Sequence, residues 1–109
     1  MYIWIGKQII MIDASVILNY LSANKDRLFR DYHLTKIGLF GSLARGEQTD
    51  NSDIDLVIEF EPETADLYSL KSRLRNEIQS EFDRHVDICR LKYIKPIFRN
   101  KIHSEIRYV

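Results

Sequence analysis

Residues 53–60 read Asp-Ile-Asp-Leu-Val-Ile-Glu-Phe, and this alternation constrains the fold more than any other stretch of the chain. In a β-strand, successive side chains point to opposite sides. Ile54, Leu56, Ile58 and Phe60 therefore share one face, while Asp53, Asp55, Val57 and Glu59 share the other. A face that is apolar along its whole length has to be buried, so other elements are expected to pack on it. The opposite face opens with two carboxylates pointing the same way and is left available for chemistry.

Helical spacing supplies the cover. Val16, Ile17, Tyr20, Leu21 and Leu28 fall on one helical face, behind a cap at Asp13 or Ser15. After Pro62, with Thr64 or Asp66 as cap, Leu67, Leu70, Leu74, Ile78 and Phe82 step by three or four. A strand is expected from Leu34 to Phe40, stopped by Gly41. Another is expected from His85 to Arg90, with Val86 and Ile88 on one face and Asp87 and Cys89 on the other. Pro96 fits the first turn of a last helix that turns Phe98, Ile102 and Ile106 inward. The order α-β-(short α)-β-α-β-α predicts a small α/β domain, a mixed sheet with helices packed on one face.

Composition narrows the function classes. A chain of 109 residues makes one domain. Its 16 Lys and Arg cancel its 16 Asp and Glu, which disfavours a protein that works by neutralising nucleic-acid phosphates. No apolar run approaches the ~20 residues of a membrane helix. The single cysteine, Cys89, excludes an internal disulfide framework and suits a reducing cytoplasm. Residues 1–12 are apolar apart from Lys7 and Gln8 and lack the cleavage site of a signal peptide. They read as an N-terminal extension or an edge strand before a domain over 13–109, with Met1 or Met11 as the start of translation.

Asp53, Asp55 and Asp87 are the candidate catalytic and metal-ligating groups. Neighbouring carboxylates repel and raise each other's pKa unless a cation lies between them. An all-oxygen set with open positions suits Mg²⁺, which keeps waters and substrate phosphates in its shell. Just upstream, residues 38–46 read Gly-Leu-Phe-Gly-Ser-Leu-Ala-Arg-Gly. At Gly41 and Ser42 a strand gives way to a helical turn, whose free N–H groups and hydroxyl can meet a phosphate. Arg45, one turn on, can reach the same anion.

Gly41-Ser42, ten intervening residues, then Asp53-x-Asp55 resembles the G-S-x(10)-D-x-D pattern of the polymerase-β-like nucleotidyltransferases. Gly-Ser-Leu-Ala-Arg-Gly-Glu at 41–47, in so short a chain, is most similar to the minimal nucleotidyltransferases, antitoxins usually paired with a HEPN-domain ribonuclease toxin. The resemblance spans roughly Ser15 to Val109. It implies that Gly41 and Ser42 hold a triphosphate, that Asp53 and Asp55 are the metal-binding pair, and that Asp87 is the third carboxylate and proton acceptor. Two Mg²⁺ ions would serve attack on the α-phosphate of ATP. The implied activity is transfer of AMP to a tyrosine hydroxyl of the cognate toxin, within a type VII toxin–antitoxin pair. Two alternatives stay open: an antitoxin that acts by binding alone, and transfer to a small-molecule hydroxyl, with a homodimer supplying the second wall.

Other residues read more plainly. Arg27-x(5)-His33 fits the form of a HEPN ribonuclease motif, but His33 falls at the start of a strand, outside an all-helical setting. His85 and His103 lack metal spacing and read as surface or core residues. Glu59 is expected in solvent, Cys89 as a small buried hydrophobe, and Tyr2 and Trp4 as packed aromatics. Arg90, Lys92, Lys95, Arg99, Lys101 and Arg107 against Glu105 read as a solvated basic face.

Overall fold

A computed structural model describes residues 2–109, apart from the side chains of Ile5 and Arg99; Met1, one of the two candidate starts, and the Arg99 side chain of the basic cluster lie outside the described residues. The chain begins with strands β1 (Tyr2–Ile5) and β2 (Gln8–Met11), paired antiparallel as a separate hairpin. Residues 2–11 are thus not an edge strand of the main sheet. Helices α1 (Ala14–Ala23) and α2 (Lys25–Tyr32) follow, then β3 (Leu34–Phe40), the short helix α3 (Gly41–Arg45) and β4 (Ile54–Phe60). After α4 (Leu67–Phe82) and β5 (Val86–Arg90) come a 3-10 turn at Leu91–Tyr93, α5 (Pro96–Glu105) and β6 (Arg107–Tyr108). The main sheet runs β5-β4-β3-β6, with β4 parallel to β5 and β3 antiparallel to both β4 and β6.

The alternation in β4 sets the layers. Ile54, Leu56 and Ile58 are buried with Ile37 and Leu39 of β3 and Val86 and Ile88 of β5. Leu70, Leu74, Ile78 and Phe82 of α4 join the same cluster, as do Ile17, Leu21 and Leu28. Asp13 caps α1, its carboxylate accepting from the Val16 N–H at 3.0 Å. The single helix expected over residues 16–28 is instead two. They break at Asn24, whose side-chain amide donates to the Tyr20 carbonyl and competes with the helical ladder. At α4 the cap position is Asp66, in a left-handed conformation and without a side-chain cap bond, while the Thr64 hydroxyl donates to Glu61.

On the second face the C-terminal segment covers the middle. Val57 is fully buried beside Gly38, where an added Cβ would come within 2.6 Å of Ile106 Cγ2. Only glycine lets that segment lie so close to β3. Phe98 points outward rather than inward, and Tyr2 and Trp4 are exposed rather than packed. Glu59 is also not in solvent: it accepts from Arg90 Nη2 at 3.1 Å and from the Lys92 N–H at 2.7 Å. The basic face therefore begins with an arginine already paired. Among the described residues no helix is long and apolar enough to cross a membrane.

One polar knot ties the helices together. Arg27 of α2 makes a two-pronged bond to Glu77 of α4, at 2.9 and 3.0 Å, and Tyr32 donates to the same carboxylate at 3.0 Å. These bonds hold the Glu77 carboxyl below its usual range and occupy the arginine of the Arg27-x(5)-His33 pair. His33 itself caps α2 with φ of 55°. A depressed carboxyl stabilises the fold fully above its unfolded-state pKa and loses that contribution as pH falls through its native value. Glu77→Gln is expected to cost about 1–2 kcal/mol at pH 7, after allowance for partial exposure. Urea unfolding should show that difference shrinking in acid.

Candidate active site

Two strand starts and one strand end meet at the carboxylates. The parallel register sets Asp55 of β4 directly beside Asp87 of β5, and neighbouring strands lie about 4.8 Å apart. Asp53 precedes β4 as His85 precedes β5, and the Ile54 N–H donates to the His85 carbonyl at 2.9 Å. The period of two puts Asp53 with Asp55 and His85 with Asp87 on one side. Ligand atoms of Asp53, His85 and Asp87 all lie within 4.8 Å of one another. His85 Nδ1 is 3.4 Å from Asp53 Oδ2 and 3.8 Å from Asp87 Oδ1.

Asp55 is the half-buried member. Antiparallel pairing sets it opposite Phe40, the last residue of β3. The next residue, Gly41, has φ of +77°, the left-handed region that glycine enters freely. An added Cβ there would strike the Asp55 carboxylate. Burial pushes the Asp55 carboxyl above its usual range, and the charges of Asp87 and Asp53 push it further; Arg45 and His85 pull it partly back. A carboxylate raised in this way is poised to take a cation. The oxygen-rich donor set and this crowding fit Mg²⁺.

The remaining predicted residues divide. Ser42 is at the turn, its hydroxyl donating to Ser52 Oγ at 3.2 Å, and Ser52 accepts from the Thr49 N–H. That pair braces the loop leading to Asp53, and Arg84 fixes its far side by donating to the Asp50 carbonyl. The Arg45 guanidinium pairs with Glu47 at 2.9 Å and Glu105 at 3.3 Å, while its charge still acts on Asp55. Burial raises the Cys89 thiol, which leaves it a poor nucleophile. A cleft of about 290 Å³ lined by Gln79, Asp83, Arg84 and His85 opens beside the cluster. His85, which reads from the sequence as a surface or core residue without metal spacing, instead stands within ligand distance of Asp53 and Asp87. Its signal was the same two-residue step, His85-x-Asp87, that marks Asp53-x-Asp55.

Known proteins are similar to this chain in sequence and in fold. The nucleotidyltransferase domain model matches residues 22–109, which include every predicted site residue. The chain belongs to the nucleotidyltransferase domain family. A Methanocaldococcus jannaschii relative, provisionally named a protein adenylyltransferase, is 34% identical over 96 residues, 87% of this chain and 96% of its own. Protein adenylyltransferase MntA of Thermococcus cleftensis is 27% identical over 91% of this chain and 98% of its own. A solved protein provisionally described as a minimal nucleotidyltransferase superposes with a TM-score of 0.72 at 25% identity, covering 88% of this chain and 95% of that one. A chain from a crystal structure of a toxin–antitoxin with AMP-PNP gives 0.61 at 27% identity, covering 79% and 69%.

Two outcomes follow for this nucleotidyltransferase. Gly41→Ala is expected to cost at least about 1 kcal/mol in urea unfolding, since alanine resists the left-handed conformation and its methyl displaces Asp55. Asp55→Asn should raise the Tm of the metal-free protein at neutral pH. The sign follows from the raised carboxyl: charging it as pH rises through its native pKa costs stability, and the amide removes that cost. The gain should vanish well below pH 4, where the wild-type carboxyl is protonated in both the folded and unfolded states.

Proposed function

We propose that this chain is a Mg²⁺-dependent protein adenylyltransferase, the antitoxin of a type VII toxin–antitoxin pair. It transfers AMP from ATP to a tyrosine hydroxyl of a HEPN-type ribonuclease toxin. The observation that carries the reading is the Asp53, Asp55 and Asp87 cluster set against the Gly41–Ser42 turn. The activity named for the Thermococcus relative and the nucleotide-bearing toxin–antitoxin structure support the choice of donor and partner.

Each residue then has a task. Backbone N–H groups at Gly41 and Ser42, with the Ser42 hydroxyl, grip the triphosphate. Arg45 swings from Glu47 and Glu105 to the phosphates, an exchange open to an exposed side chain. Asp53, Asp55 and Asp87 would hold two Mg²⁺ ions, which when bound neutralise the triphosphate and lower the pKa of the acceptor hydroxyl. The tyrosine oxygen bonds to the α-phosphorus while the bond from that phosphorus to the bridging oxygen breaks. Pyrophosphate leaves, and Asp87 accepts the hydroxyl proton. The cluster faces solvent, so the toxin itself closes the site and excludes water.

Intact-mass spectrometry of the toxin encoded beside this chain, after incubation with both proteins, ATP and Mg²⁺, tests the reading. Whole AMP increments are expected with the wild type. With Asp53→Asn/Asp55→Asn they should fall by at least about a thousandfold, since such charge stabilisation commonly contributes that much. A stable complex without any mass gain would replace the enzymatic reading with neutralisation by binding.

A further inference from the structure

We infer that His85 is a nitrogen ligand at this centre and biases its ion site toward divalent transition metals over Mg²⁺. The inference rests on the reading above, because it takes the neighbouring carboxylates as metal-holding groups.

The geometry around His85 is specific. Its carbonyl is bonded to the Ile54 N–H, so the imidazole springs from a backbone fixed beside Asp53. Nδ1 lies between two carboxylates, yet at 3.4 and 3.8 Å it is beyond a good hydrogen bond to either. A nitrogen close to two oxygens but satisfied by neither is placed for a shared third atom. Ligand atoms around one small cation are separated by no more than about 4.2 Å, twice a metal–ligand bond of about 2.1 Å. The three candidate atoms, within 4.8 Å of one another, reach that limit with small rotations. The side chains of His85, Asp53 and Asp87 are 59%, 47% and 61% exposed, which leaves each of them room to turn on its solvent side.

Chemistry then decides the preference. Mg²⁺ takes oxygen ligands in a strict octahedron, and an imidazole adds little for it. Transition ions accept imidazole nitrogen readily. Mn²⁺ is the useful probe, because it shares the carboxylate and phosphate chemistry of Mg²⁺, accepts nitrogen, and is paramagnetic. Asp55, half-buried against Gly41, offers only oxygen ligands. The asymmetry would give the centre one position for either ion and one, at the His85 side, that favours a transition metal.

The test is pulsed electron paramagnetic resonance of Mn²⁺ bound to the whole protein, with and without a non-hydrolysable ATP analogue, alongside Mg²⁺ competition. The wild type should show nitrogen hyperfine coupling to Mn²⁺. His85→Gln and His85→Ala should lose it, with the Mn²⁺-over-Mg²⁺ preference falling by about tenfold or more. Absence of nitrogen coupling in the wild type under both conditions, or an unchanged preference in both variants, overturns the inference. Asp53→Asn/Asp55→Asn separates the two levels of the account. If that variant loses Mn²⁺ binding while the wild type shows no nitrogen coupling, the role of His85 fails and the carboxylate site stands. If it binds Mn²⁺ as well as the wild type does, the functional reading falls as well.

Discussion

The Asp55 carboxylate lies against the backbone of Gly41, and the rest of the site is arranged around that contact. It joins the end of β3 to the start of β4, so the turn expected to receive phosphates and the strand carrying carboxylates are held at one fixed separation. Any side chain at Gly41 would force them apart. The parallel neighbour β5 then brings Asp87 alongside at no extra conformational cost, since strand register alone sets the pairing. The result is a group of like charges, one of them partly buried, that the fold tolerates at some expense to its stability.

That expense is met on the other side of the sheet. The apolar face of β4 is covered by α1, α2 and α4, and its large residues are wholly buried. Glu77 joins this layer to Arg27, Tyr32 and Tyr20, fixing α4 against α1 and α2. Stability is concentrated in one layer and charge crowding in the other.

Much of this was legible in the sequence because period-two and period-3.6 patterns report burial directly. Ile54, Leu56 and Ile58 and the α4 stripe from Leu70 to Phe82 are buried as their spacing implied. The Gly41-Ser42 and Asp53-x-Asp55 pairs converge as the motif spacing suggested. What the sequence hid depends on contacts between distant segments. His85 acquires its place only when β5 docks parallel to β4. Glu59 is drawn from solvent by Arg90, thirty-one positions away. Arg45 is drawn off by Glu105, sixty positions away. Tyr2 and Trp4 looked like packing residues by type, but the hairpin pairs them with Met11 and Ile9, and all four side chains are exposed. The break at Asn24 was hidden by an apolar stripe that continues in phase across two helices.

The central claim is that these carboxylates and the Gly41–Ser42 turn form one nucleotide and metal site. A crystal structure of the chain with Mg²⁺ and a non-hydrolysable ATP analogue tests it most directly. The account predicts metal ions bridging Asp53, Asp55 and Asp87 to the phosphates, with the triphosphate on the N–H groups of Gly41 and Ser42. A nucleotide bound elsewhere, with these three carboxylates contacting neither metal nor phosphate, would contradict it.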